Sequence, residues 1–183
     1  MSIRKFLAKF KLQQMKNRLE SASFEFPLAL RHPRKVLVCL PRGLRELTLV
    51  KQFLPTITEL FKPAEVTLLA MPGIKVHDIY PRKGFHILSP STEQLTWSGL
   101  PKKNYLKTLQ DEKYDLVIDL NLEQSTFTSG ILLSFPKALR VGRGNHLGEP
   151  FYNLEIKTKY LRDERNIYRS LFEMLAILKN SRN

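Results

Sequence analysis

Residues 35–61 read KVLVCLPRGLRELTLVKQFLPTITELF. Val36, Leu37, Val38, Cys39 and Leu40 form an unbroken apolar run, the pattern of a parallel strand covered on both faces. Pro41, Arg42 and Gly43 interrupt it. Leu47, Val50, Leu54, Ile57 and Phe61 then recur three or four residues apart, so they share one face of a helix. A strand that feeds a helix through a short loop aims backbone N–H groups at the loop mouth, where anions and cofactors bind in α/β folds. What the chain does turns on whether that loop holds a working site.

The same grammar repeats more weakly downstream. Residues 65–70, 85–88, 114–120, 139–142 and 152–156 carry the apolar and β-branched runs of further strands. Residues 104–111 and 126–135 have helical patterns, the second apolar on most sides. A last helix starts near Asp163, with Ile167, Leu171, Met174, Leu175 and Leu178 on one face; acidic residues at its start and Lys179 at its end suit the macrodipole. Residues 89–101 read as irregular and hold the single Trp, Trp97. Strands alternating with helices predict an α/β fold: one Rossmann-like domain over residues 34–183, with a mostly parallel sheet of about six strands.

Residues 1–33 read as an appendage, a basic amphipathic helix followed by an extended linker containing Pro27 and Pro33. Nine Lys or Arg stand against two Glu in residues 1–35, a net +7 of the chain's +13. The helix carries two apolar rows. Ile3, Phe6, Leu7 and Phe10 form one, beside Arg4; Ala8, Leu12, Met15 and Leu19 form the other. Two rows predict two jobs, one on the parent domain and one on a lipid surface or partner. The alternative is a helix that packs both rows on its own domain.

At 183 residues the chain has room for one domain with a real core. A net charge of +13 favours a polyanionic partner such as nucleic acid, anionic lipid or a phosphorylated glycan. Cys39 is the lone cysteine, so no intrachain disulfide or cysteine zinc site is available; inside an apolar strand it reads as a small core residue. His32, His77, His86 and His146 are scattered without metal-ligand spacing, and no metal or cofactor is expected. No apolar run approaches the roughly 20 residues of a membrane span. The expected place is the cytoplasm, with peripheral membrane contact as an option.

Three segments carry a resemblance to the N-terminal half of the glycosyltransferase family that includes the lipopolysaccharide heptosyltransferases. They are KVLVCLPRGLRELTLVKQFLPTI (35–57), YDLVIDLNLEQSTFTSGILLSFPKALRVGRG (114–144) and EPFYNLEI (149–156) with its following helix. The resemblance implies the acceptor-side half of a two-domain GT-B enzyme, with the donor-binding half absent from these 183 residues. It places Glu46 at the position of the family's proposed general base and Arg45 at a glycine position. Arg45 excludes the close backbone approach that Gly permits, and pairing with Glu46 would lower that carboxyl's pKa and make a poorer base. The simpler reading of Glu46 is an acidic residue in a helix's first turn.

Other candidates are weaker. Asp115 and Asp119 lie about 13 Å apart along one strand, too far for paired acid–base work. Asp119, at the carboxyl end, would bond a loop or a sugar hydroxyl, or cap the turn into Asn121. Arg143, with Arg140, flanks a Gly-rich run that would suit a phosphate or serve as surface loop. Basic and aromatic residues interleave near residues 151–168, as in single-stranded nucleic-acid binders, but without a recognised motif. The expected anion or ligand contacts are therefore Arg42, Gly43, Arg45, Asp119 and Arg143. The expected function is a glycosyltransferase-like binding or assembly module, non-catalytic alone, with a protein partner. The alternatives are a transferase subunit borrowing its donor domain and a nucleic-acid-associated scaffold.

Overall fold

The computed structural model describes residues 3–19, 24, 28–80, 84–143 and 151–181. In chain order the elements are α1 (Ile3–Asn17), α2 (Leu28–Arg31), β1 (Lys35–Cys39), α3 (Leu44–Phe61), β2 (Glu65–Leu69), β3 (His86–Leu88), α4 (Lys103–Asp111), β4 (Leu116–Asp119), α5 (Thr126–Leu133), β5 (Leu139–Arg143), β6 (Leu154–Ile156) and α6 (Glu164–Asn180). The strands form one sheet in the order β3-β2-β1-β4-β5-β6, and every pairing is parallel. This is the strand order of the Rossmann fold, and the chain reverses direction across the sheet between β1 and β4.

The continuous apolar run of β1 is explained by helices on both sides. Val36, Val38 and Leu40 face α3 and α6, where all five periodic residues of α3 are buried with Ile167, Tyr168, Leu171 and Phe172. Leu37 and Cys39 face the other layer with Leu109, Phe127, Ile131 and Phe135. Each such side chain contributes about 1.5–3 kcal/mol relative to exposure. Cys39 is a core residue, as its setting in the strand implies; burial, then the Asp119 carboxylate, push its thiol well above its ordinary range.

Two local expectations are corrected. The span between α1 and β1 is not extended throughout, because α2 forms one helical turn there and seats Leu30 in the core against α6. The buried face of α6 takes Tyr168 and Phe172 in place of Met174, which points outward. The Tyr168 and Phe172 rings pack beside Phe53 on α3, with centroids 6.4 and 5.4 Å away. The expected parallel sheet of six strands is present, with all five strand pairings parallel. The Gly-rich run at 144–148, with His146, lies outside the described residues.

Helix α1 packs on the outside of α5. Ala8 and Leu12 are buried, and Met15 and Leu19 join Leu12 against Leu100, Leu133 and Phe151. Ile3, Phe6, Leu7 and Phe10 are exposed. The two rows thus have separate environments, and the version with both rows on the domain is excluded. Among the described residues no helix is long and apolar enough to cross a membrane.

Candidate functional site

The carboxyl ends of β1, β2 and β4 open onto a cleft of about 1050 Å³. It lies at the switch point between β1 and β4, where open α/β sheets bind ligands. Four segments wall it. Arg42, Gly43 and Glu46 come from the β1–α3 loop, Met71 and Pro72 from the end of β2, residues 121–127 from the β4–α5 loop, and Thr92, Leu95, Ser98 and Gly99 from the irregular stretch before α4. Arg4, Lys5 and Ala8 of α1 complete the rim.

The β1–α3 loop is shaped by Gly43. A Cβ there would stand 2.5 Å from the Glu46 Oε2, so any side chain would push Glu46 away. Glu46 turns back and accepts a hydrogen bond from the Gly43 N–H at 3.0 Å, the reaching-back half of a capping box. The expected Arg45–Glu46 pair does not form. Arg45 points outward and pairs with Glu164 at the start of α6, at 3.0 Å. With that cation elsewhere, burial raises the Glu46 carboxyl above its ordinary value, opposed by the Gly43 N–H and helped by Glu164 and Glu123. The shift is opposite to the expectation from sequence.

A raised carboxyl makes Glu46 stabilising in its protonated form, so its contribution falls as pH rises from the ordinary carboxylate range through the raised value. Glu46→Gln keeps an acceptor for Gly43 and removes the charge. Relative to the wild type it should gain thermal stability as pH rises through that window. Glu46→Ala loses the cap at every pH, at about 1 kcal/mol. Melting curves between about pH 4 and pH 8 separate the two; equal losses for Gln and Ala would contradict this account.

The cleft floor is held from beneath. Asp119 is 3% exposed and accepts hydrogen bonds from the Asn121 N–H (2.9 Å), Asn121 Nδ2 (2.7 Å) and the Tyr152 hydroxyl (2.8 Å). Asn121 Nδ2 also donates to Thr128 Oγ1 at 3.2 Å, and Ser125 Oγ accepts from the Thr128 N–H at 3.1 Å, capping α5. The capping alternative for Asp119 is therefore what the geometry contains. Burial, with the Asp119 carboxylate next, drives the Tyr152 phenol far above its ordinary range, so it stays a donor. Asp115, at the other end of β4, accepts from the Arg34 and Lys35 N–H groups at 2.7 and 3.1 Å.

Arg42, Gly43 and Glu46 are thus brought together on the cleft wall, and Asp119 lies under the floor. Arg45 and Arg143 do not line the cleft. Arg143 is buried and donates to the Tyr160 carbonyl at 3.2 Å. Arg140 is likewise buried and donates to the Phe151 carbonyl at 2.9 Å. Arg4 reaches the cleft over Gly99, although its row had marked it for outside contact. Lys5, Thr92 and Ser98 were missed. The one available signal for the last two was a Pro-bounded irregular stretch following a strand's carboxyl end. Among the described residues no carboxylate pairs with Arg4, Lys5 or Arg42, and no cluster of three His, Cys, Asp or Glu could hold a metal.

Among solved structures, the E. coli heptosyltransferase WaaC with ADP matches with a TM-score of 0.54 and 17% identity, covering 76% of this chain and 46% of that one. At that identity the likeness is one of fold, a glycosyltransferase-like, Rossmann-like architecture. The chain spans less than half the length of that enzyme. No curated protein matches. Residues 74–178 run from the turn after β2 through most of α6 and include the cleft floor; over that span the sequence matches the Family of unknown function (DUF6913), to which this chain belongs.

Proposed function

We propose that this chain is a glycosyltransferase-like domain that binds a phosphorylated glycan in the cleft and does not transfer sugar by itself. One observation carries the reading: the carboxylate at the catalytic position implied by resemblance, Glu46, is spent on the Gly43 amide, while Arg4, Lys5 and Arg42 line the same cleft. Cations that pair with no carboxylate among the described residues, beside two loop-to-helix junctions, favour a phosphate over a neutral ligand.

Titration calorimetry with a sugar phosphate, inorganic phosphate and ADP tests this reading. The sugar phosphate should bind most tightly, and Arg42→Ala should weaken it by about tenfold, the scale of one lost charge-assisted contact. Because Arg42 is exposed, melting should be unchanged. Turnover of a nucleotide sugar by the purified chain, abolished by Glu46→Gln, would overturn the non-catalytic reading.

A second reading is favoured by the raised Glu46 carboxyl, the direction a general base requires near neutral pH. In it the chain is a transferase subunit whose donor domain comes from another polypeptide. It predicts turnover only in the mixture of the two.

A further inference from the structure

Among the described residues, the outer face of α1 has no partner. Ile3, Phe6, Leu7 and Phe10 are 74%, 57%, 36% and 54% exposed, and their spacing at i, i+3, i+4 and i+7 makes one continuous ridge. The ridge lies opposite the buried pair Ala8 and Leu12. Residues 3–19 hold six Lys or Arg and no Asp or Glu. Helical geometry puts them in two files, Arg4, Lys11 and Arg18 on one side and Lys5, Lys9 and Lys16 on the other; Arg4 and Lys5 reach the cleft rim and Lys16 lies over the Phe151 ring, which leaves Lys9, Lys11 and Arg18 exposed beside the ridge. Trp97, also exposed, stands two residues from Gly99, over which the Arg4 guanidinium lies.

We propose that the outer face of α1 docks this protein on an anionic membrane surface. The ridge would enter the boundary between headgroups and acyl chains, with the helix lying in the plane. Lys9 on one side and Lys11 and Arg18 on the other would reach lipid phosphates, their methylene stems along the apolar boundary. Trp97 is the residue type that anchors at such a boundary. The charge also decides against a second copy as the occupant. Two ridges facing across a two-fold axis would bring the exposed cations of both helices together, with no acid on either helix to offset them. The inference stands apart from the identity of the cleft's ligand.

Flotation of the full chain with phosphatidylcholine vesicles, with and without phosphatidylglycerol, tests it. Binding should be at least about tenfold tighter to the anionic vesicles and should weaken as salt rises. Phe6→Glu with Phe10→Glu should reduce that binding by at least about tenfold, and Lys9→Gln with Lys11→Gln should weaken it most at low salt. All four side chains are exposed, so circular dichroism and melting should match the wild type. Equal binding to both vesicle types, or binding unchanged by the Phe substitutions, would overturn the proposal. So would a solution dimer of the wild type that the same Phe substitutions dissociate.

Discussion

Gly142→Ala should destabilise the protein by about 3 kcal/mol in urea titrations, the upper part of the range for overpacking a core. Gly142 is buried in β5, and a Cβ there would fall onto Cε1 and Cζ of the Tyr152 ring. Neither side can retreat. The β5 backbone is tied to β4 and β6 by parallel pairing, and the Tyr152 hydroxyl is held by Asp119 at 2.8 Å. The ring is 3% exposed, so it has no outward rotamer that avoids the core. Tyr152→Ala alone should also cost about 3–5 kcal/mol through the cavity it leaves. Combined, the two should cost clearly less than their sum, because the second removes what the first strikes. A Gly142→Ala protein within about 0.5 kcal/mol of wild type would mean that the ring has somewhere to go.

Asp119→Ala should be as damaging, at about 4 kcal/mol. Removing the carboxylate strips the acceptor from the two Asn121 donors and from Tyr152, and an unsatisfied buried donor costs about 1–3 kcal/mol. Asn121 then loses its grip on the turn that becomes α5, so the loop at 121–127 that floors the cleft should lose its shape. Weaker sugar-phosphate binding should therefore accompany lower stability. Asp119→Asn retains one acceptor oxygen for Asn121 and should cost less than half as much. If the Asn and Ala variants prove equally unstable, the negative charge itself, and not the count of hydrogen bonds, holds the turn.

Several of these features were legible in the sequence because they are local. The five buried positions of α3 follow from a period of 3.6, and the two rows of α1 separate on the same rule. The strands β1 and β4 announce themselves as unbroken apolar runs. What escaped notice depends on partners distant in the chain. Arg45 reads as a neighbour of Glu46, yet its carboxylate is Glu164 at the start of α6. Arg140 and Arg143 read as surface cations beside glycines, yet their guanidinium groups are buried against backbone carbonyls of Phe151 and Tyr160. No spacing rule marks a carbonyl as an Arg acceptor. Prolines at 27 and 33 argued for extended chain, but α2 fits its single turn between them.

The cleft itself was half legible. The β1–α3 loop and the end of β4 are where a parallel sheet puts its ligands, and both are there. Helix α1 was not placeable, because an amphipathic row says that a helix packs and not on what. Its inner row meets Leu100 and Leu133, residues with no periodic link to residues 3–17.

That position makes α1 a shared element. Arg4 and Lys5 stand in the cleft rim, and the apolar ridge of the same helix faces away from the domain. A ligand touching those two cations and a surface engaging the ridge would each bias the seating of one rigid rod. Such effects are reciprocal: if occupancy of the cleft tightens the outer contact by some factor, that contact tightens cleft binding by the same factor. The inner anchorage rests on Ala8 and Leu12, with Met15 and Leu19 packed beside them, so few buried side chains hold α1 and its seating can shift at modest cost.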